Sequence, residues 1–144
     1  MKRVKQIVYA SLTMCLLVTC QAETKGQTPK AVEQAFKSKY PNESDPDWRI
    51  DKNGNFESHF KKDGEHYRAD FSPNGDWIET ESNIKKKELP KAILKVLDTD
   101  FEDVKIVEIE KVDHATKGIF YDVEIKVDDK KKDLEFTKEG KRIN

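Results

Sequence analysis

Three histidines, His59, His66 and His114, are the side chains of this sequence best suited to acid–base or nucleophilic chemistry. Ser58 and His59 are neighbours in a strand-like run, so their side chains point to opposite faces and cannot pair directly. The sequence contains no Gly-x-Ser-x-Gly, His-Glu-x-x-His, Walker or Rossmann motif. We therefore expect no catalytic residues, no cofactor and a protein that is not an enzyme.

A metal site is the next chemistry that the residues allow. The two-residue turn Asp63-Gly64 joins two strand-like runs in a register that places Glu57 directly opposite Asp70. Two carboxylates in that position repel each other, and with His59 on the same face they could bind a divalent cation. Arg68, diagonal to Glu57, can neutralise the pair instead, and we favour that interpretation. The sequence predicts no metal site, and Glu57, His59 and Asp70 are the one candidate set.

These side chains are positioned by a predicted antiparallel sheet. Its hairpin turns are 52–54, 63–64 and 73–75, each ending in glycine, and the three registers agree with one another. One face then collects Trp48, Ile50, Phe56, Phe60, Tyr67, Phe71 and Trp77. The other face collects Glu57, His59, Lys61, His66, Arg68 and Asp70. This pattern is typical of a sheet that is apolar on one face only.

Two helices can cover the apolar face, and their sequences are similar. Residues 28–40 and 89–101 share four apolar positions at an offset of 61, spaced i, i+3, i+4 and i+8 as on one side of a helix. The matching positions are Val32/Ile93, Ala35/Val96, Phe36/Leu97 and Tyr40/Phe101. Pro29 and Pro90 suit a first helical turn, and Thr28 is expected to cap the first helix.

The pattern Phe-x-x-x-Gly-x-x-Ile occurs near the end of each half of the chain, at 71–78 and again at 136–143. Further strands are predicted at 104–113, 120–127 and 134–136, with a short end at 142–143. We therefore predict an α+β fold of two tandem repeats, about 28–82 and 88–144, each a helix followed by antiparallel strands. The helices pack on one face of the sheet, and the opposite face is exposed to solvent.

Residues 1–22 have the form of a secretory signal peptide, with three basic residues followed by an uncharged apolar run at 7–18. Cleavage after Ala22 fits this segment. A bacterial lipobox at 17–20, which would lipidate Cys20, fits it as well, and the sequence leaves both open. We expect an exported domain at 23–144, either periplasmic or anchored to the outer membrane only through a lipid on Cys20.

Charge argues against a nucleic-acid partner. The first 22 residues hold three of the 27 basic residues and none of the 28 acidic ones, which leaves 24 basic against 28 acidic residues in the rest. The two signs are interleaved along the chain, with no basic stripe. Such a pattern is typical of a solvated protein surface.

The order and spacing of these elements resemble the PepSY-like family of exported, Bacteroidetes-type proteins. The resemblance lies in the two Pro-Lys-Ala helix starts, in Asp-Phe-Ser-Pro-Asn-Gly-Asp-Trp at 70–77 and in Glu-Phe-Thr-Lys-Glu-Gly at 135–140. That family is described as similar in shape to the beta-lactamase inhibitor protein. The resemblance implies an α+β fold with an exposed sheet face, and by analogy of shape an inhibitor-like role. It supplies no catalytic residues.

The function that we predict is an exported, non-catalytic module that binds another exported protein, such as a hydrolase, whose identity the sequence does not give. The residues predicted to contact the partner are Glu57, His59, His66, Arg68, Asp122 and Glu124. Two alternatives stay open: a lipid-anchored structural protein of the cell envelope, and a protein that binds a divalent cation weakly.

Overall fold

The computed structural model describes residues 28–101 and 104–144; the predicted signal peptide, with Cys20, lies outside the described residues. Within this part of the chain, seven antiparallel strands pair in chain order to form one open sheet, accompanied by two α-helices. The elements are α1 (Lys30–Lys39), β1 (Asp47–Ile50), β2 (Phe56–Lys62), β3 (Glu65–Phe71), β4 (Trp77–Asn83), a 3-10 turn (Lys86–Glu88), α2 (Lys91–Asp100), β5 (Lys105–His114), β6 (Gly118–Val127) and β7 (Lys130–Phe136).

The three hairpins of the first half have the registers that their turns predict. Ile50 lies opposite Phe56 across β1 and β2, and Phe60 lies opposite Tyr67 across β2 and β3. Phe71 lies opposite Trp77 across β3 and β4. Short turns fix the register of the strands they join, so both faces of β1, β2 and β3 could be assigned from the sequence. In β4 a bulge between Asp70 and Phe71 shifts the register by one residue beyond the pair of Phe71 with Trp77.

The two helices pack over different parts of the sheet and form two separate apolar clusters. The first consists of Val32, Phe36, Tyr40, Phe56, Phe60, Ala69 and Phe71. The second consists of Leu89, Ile93, Leu97, Ile109, Tyr121, Val123, Ile125, Leu134 and Phe136. The strand registers place the sheet residues of both clusters on one face. We call this the helix face, and we call the opposite, predominantly polar face the open face.

The glycine of the Phe-x-x-x-Gly-x-x-Ile pattern has the same contact in both halves. Gly75 has a φ of +91°, and a Cβ added there would lie 2.8 Å from the carbonyl oxygen of Ala31 in α1. Gly140 has a φ of +82°, and its Cβ would lie 2.9 Å from the carbonyl oxygen of Ala92 in α2. Each helix therefore begins directly against a turn that only glycine fits.

Two local predictions were wrong. Thr28 does not cap α1: the N-cap position is Pro29, without a side-chain hydrogen bond, and its carbonyl accepts from the amide of Glu33 at 3.1 Å. The last long strand begins at Lys130 rather than at 134, because β6 and β7 are joined by a tight turn at Asp128 and Asp129. Both aspartates have positive φ, at 47° and 61°, and aspartate is one of the residues that tolerate this region.

No helix in the described ranges combines the length and the apolar character that are needed to cross a membrane.

Candidate functional site

The six residues predicted to contact a partner all lie on the open face. Glu57 and His59 of β2 lie opposite Asp70 and Arg68 of β3. Arg68 continues across the sheet to Glu81 of β4 and then to Val112 of β5. His66, Asp122 and Glu124 have the same orientation, since His66 pairs with Lys61, Asp122 with Glu110 and Glu124 with Glu108. The six form two groups, because β2 and β6 are four strand spacings apart, or roughly 19 Å.

Arg68 lies within reach of carboxylates from three other strands. Its Nε is 3.7 Å from Oε2 of Glu57, its Nη2 is 3.7 Å from Oε2 of Glu110, and Nη2 also contacts Oε2 of Glu81. The Glu57 carboxylate contacts Nε2 of His59 as well. This confirms that Arg68 approaches Glu57. The guanidinium is also shared with Glu81 of β4 and Glu110 of β5, which were not predicted.

Asp70 lies opposite Glu57 on the open face and is a poorly compensated carboxylate. Its Oδ1 is buried and accepts no hydrogen bond within the described structure. Burial and, to a smaller extent, the nearby charges of Glu57 and Glu79 raise the pKa of Asp70 to about 6, against the opposing effect of Arg68. The carboxylate therefore changes its charge near pH 6 instead of staying fully ionised there.

Asp122, on the other side of the open face, is a second partly buried carboxylate with a raised pKa. Its Oδ1 is buried without a hydrogen-bond donor among the residues described. Burial, together with the nearby carboxylates of Asp133, Glu110 and Glu135, raises the pKa of Asp122 to about 6. Burial likewise raises the pKa of Glu110, although Arg68 opposes it. The middle of the open face thus holds more negative charge than its own cations neutralise.

Sequence analysis missed most of the carboxylates that produce this charge. They are Glu79, Glu81, Glu108, Glu110, Asp133 and Glu135. The signal was present, because glutamates alternate with other residues in both β4 and β5, as on one face of a strand. Glu79 and Glu81 lie on the open face because a bulge between Asp70 and Phe71 shifts the register of β4 by one residue. Placing the acids of β5 near Arg68 also requires the pairing of β4 with β5, which no short turn specifies.

Some of these acids do have partners at the edges of the group. The Lys131 ammonium lies 2.8 Å from Oε1 of Glu124, and Nδ2 of Asn83 donates to Oε1 of Glu108 at 2.7 Å. A shallow cavity of about 220 Å³ opens between these side chains, with His59, His66 and Arg68 on one side and Glu81, Asn83, Glu108 and Glu110 on the other. The surface therefore offers both donors and acceptors at close spacing.

The candidate metal set is not assembled into a site. Glu57, His59 and Asp70 share the open face. However, no group of three or more His, Cys, Asp or Glu side chains within residues 28–101 and 104–144 is arranged to hold a metal ion. The imidazole of His59 and the guanidinium of Arg68 both contact Glu57, as the favoured interpretation expected of Arg68.

A comparison with protein families gives one match. The family described as beta-lactamase-inhibitor-like and PepSY-like matches residues 54–144, which begin within the first hairpin and include all of the second half. Among curated proteins, none matches the chain.

Solved structures with the same fold cover more of the chain. A BLIP-like protein from Bacteroides fragilis has a TM-score of 0.73 at 21% identity, over 84% of this chain and 86% of its own. A DUF2874 family protein from Bacteroides uniformis has a TM-score of 0.74 at 19% identity, over 82% and 88%. A protein from Bacteroides eggerthii, described as a predicted periplasmic protein, has a TM-score of 0.73 at 20% identity, over 83% and 88%. At these identities the likeness is one of fold.

Proposed function

Because the chain belongs to the PepSY-like, beta-lactamase-inhibitor-like family, we propose that it is an exported, non-catalytic module that binds another exported protein through the open face of its sheet. The observation that carries the proposal is the set of carboxylates around Arg68. They are held on rigid paired strands, partly desolvated, and only in part neutralised within the described structure.

Charge indicates the kind of partner surface that would fit. The buried oxygens of Asp70 and Asp122 lack donors within the part of the chain that the structure describes, so the negative charge around them is only partly compensated. Lysine or arginine side chains of a partner docked on this face would offset that charge. Complementary charge also accelerates association and selects among partners. The partner is therefore a protein with a basic surface, and a hydrolase is the class that the family description favours.

Export and anchoring complete the proposal. The signal peptide at 1–22 directs the chain out of the cytoplasm, which agrees with the description of the Bacteroides eggerthii structure. The lipobox at 17–20 makes Cys20 the point of attachment to the outer membrane. Replacing Cys20 with serine is expected to move the protein from the membrane fraction to the soluble fraction. Unchanged fractionation with Cys20→Ser would contradict anchoring and leave a periplasmic protein.

We also propose that the domain consists of two tandem repeats, at about 28–82 and 88–144. Each repeat is a helix followed by antiparallel strands. This architecture is supported by the identical contacts of Gly75 with Ala31 and of Gly140 with Ala92, together with the matching apolar positions of α1 and α2. In this arrangement each helix stabilises its own half of the open face, so that the recognition surface extends over both repeats.

The test is capture of the partner by the protein purified from cells that express the full chain, followed by mass spectrometry of the bound proteins. We expect one reproducible protein with a basic surface, which is lost with Glu124→Lys and bound more tightly with Arg68→Glu, because the first variant removes negative charge from the open face and the second adds it. The matched control changes exposed charges of α1, with Lys37→Glu and Glu33→Lys, and should keep the partner.

Melting curves of all four variants show whether each is folded. A partner that binds the folded Arg68 and Glu124 variants as well as it binds the unchanged protein would contradict recognition by the open face. A partner lost only with the α1 variants would place recognition on the helices instead.

A further inference from the structure

A second surface with a different character lies on the helix face, between the two apolar clusters. There the helix-face positions of β4 and β5 are Thr80 opposite Asp113 and Ser82 opposite Lys111. None of these four residues belongs to either cluster. A cavity of about 280 Å³ opens at this position, and we call it the interhelix cleft.

The cleft is rich in cations in a chain that is acidic elsewhere. Lys39, Lys62 and Lys111 line it, and Asp113 is the carboxylate among its lining residues. Within the described ranges, neither Lys62 nor Lys111 lies within ion-pair distance of a carboxylate. Lys39 lies over the ring of Trp77, with Nζ 3.3 Å from the centroid. On the open face, by contrast, Lys131 is paired with Glu124.

Among the residues that the structure describes, one hydroxyl proton at the floor of the cleft has no acceptor. The indole nitrogen of Trp77 donates to Oγ1 of Thr80 at 2.9 Å, and the hydroxyl of Tyr40 also contacts Oγ1. An indole N–H can only donate, and one proton is sufficient for the contact between the two hydroxyl oxygens. The other hydroxyl proton of Tyr40 or Thr80 is therefore free to donate to a further group.

This free donor is well placed to meet a ligand. Tyr40 is only 9% exposed, and both hydroxyls line the cleft together with Tyr67 and Ser82. Burial raises the pKa of Tyr40, and the charge of Asp113 adds to this rise, so the hydroxyl stays protonated at neutral pH. A buried donor without an acceptor is unfavourable, and an anionic oxygen in the cleft would satisfy it.

We propose that the interhelix cleft binds a small hydroxylated organic anion, namely a sugar acid or a sugar phosphate. The three ammonium groups attract the carboxylate or the phosphate, and the free hydroxyl donates to one of its oxygens. Asp113 accepts from a hydroxyl of the same ligand. The volume lies at the lower end of the range for ligand pockets and suits a single sugar ring. The site lies on the face opposite the proposed recognition surface, so it is independent of that function.

The experiment is a titration of the ¹⁵N-labelled protein, purified from cells that express the full chain, followed by amide chemical shifts. The probes are glucuronate and glucose 6-phosphate, which distinguish carboxylate from phosphate, with glucose as the uncharged control at equal ionic strength. We expect saturable shifts at Thr80, Ser82 and Lys111 with at least one anion and none with glucose.

Substitutions in the cleft provide the matched comparison. Lys62→Gln and Lys111→Gln are each expected to raise the Kd about threefold to tenfold, as loss of one partly solvated charge contact predicts. Lys95→Gln, an exposed lysine of α2, should leave the Kd unchanged. Both cleft lysines are exposed, so their variants keep the fold, which the amide spectra verify.

The proposal is overturned by any of three results. The first is the absence of saturable shifts with either anion up to millimolar concentrations. The second is an equal response to glucose. The third is binding that Lys62→Gln and Lys111→Gln leave unchanged, which would place the anion on lysines elsewhere on the surface.

Discussion

The carboxylate of Asp122 shows how a single residue of the open face acts against stability. It lies beside Asp133, Glu110 and Glu135, one of its oxygens has no donor in the described structure, and its pKa is raised to about 6. In the unfolded chain, an aspartate titrates near its ordinary value of about 3.9. Between these two values the folded protein holds a proton that the unfolded chain has released. The stability therefore falls as the pH rises through this window.

We expect Asp122→Asn to remove this cost, because an amide does not ionise. At pH 7 the free energy of unfolding should increase by about 1 kcal/mol, a figure reduced from the full pKa shift to allow for solvent screening. Near pH 3, where the carboxyl is protonated in both states, the gain should vanish. Urea denaturation at both pH values measures the difference.

Asp63→Asn is the matched control for this prediction. Asp63 is an exposed turn residue with a φ of 53°, a conformation that asparagine also accepts. Its variant should change the stability little, and by the same amount at both pH values. A loss of stability in Asp122→Asn at pH 7 would mean that the ionised carboxylate has favourable contacts that outweigh the repulsion.

At the scale of the elements, the start of each helix packs so closely against a glycine turn that an added methyl group would not fit there. Replacing Gly75 with alanine puts a Cβ 2.8 Å from the carbonyl oxygen of Ala31, and α1 would have to move away from the sheet. Gly54 has a similar φ of +85°, but nothing lies within 4 Å of its added Cβ. Comparing the alanine variants at Gly75 and Gly54 therefore separates the cost of a positive φ from the cost of a steric clash.

Gly75→Ala should therefore cost more than Gly54→Ala. Both variants bear the cost of a positive φ, about 1 kcal/mol, and Gly75→Ala adds the cost of a forced displacement, about 1–3 kcal/mol. Gly140→Ala should resemble Gly75→Ala, because its Cβ meets Ala92 in the same way. Thermal melting measures all three, and equal losses at Gly54 and Gly75 would contradict the tight junction.

The same elements show what the sequence could predict and what it could not. The registers from β1 to β3 follow from turns of two or three residues, and so the residues of both faces could be assigned there. The faces of β4 could not, because a bulge between residues 70 and 71 shifts its register by one residue. The turn at Asp128 and Asp129 was missed because it contains no glycine. The pairing of Ser82 with Lys111 was also missed, because a helix lies between β4 and β5 and no turn sets their register.

The composition of the open face follows from that pairing. The sequence identified Arg68 and Glu57 as neighbours, since one hairpin contains both. Glu110 approaches Arg68 only after the two halves of the chain join into one sheet, whereas Glu81 reaches it from the neighbouring strand of the same half. The interhelix cleft has the same origin, since Thr80, Lys111 and Asp113 come from both halves. Both surfaces are products of tertiary pairing rather than of local pattern.

At the scale of the whole molecule, two apolar clusters are joined by a sheet but not by a shared core. Phe36 of α1 packs against the rings of Tyr40, Phe60 and Trp48, with centroids 5.1 Å, 5.1 Å and 5.6 Å away. Leu97 of α2 is 3% exposed within the other cluster. Between the clusters lie the polar residues of the interhelix cleft, so the halves are linked mainly by the backbone hydrogen bonds of β4 and β5.

We therefore expect that a substitution in one apolar cluster destabilises its own half of the sheet more than the other half. Phe36→Ala and Leu97→Ala should each cost about 2–5 kcal/mol of stability through lost burial and the cavity that remains. Hydrogen exchange should then separate the two variants. In Phe36→Ala, amides of β2 and β3 should exchange faster by a larger factor than those of β6 and β7, and Leu97→Ala should give the opposite pattern. If each variant instead accelerated exchange equally over all seven strands, the two halves would unfold as one unit. Melting curves that neither substitution changes would contradict the burial of both helices.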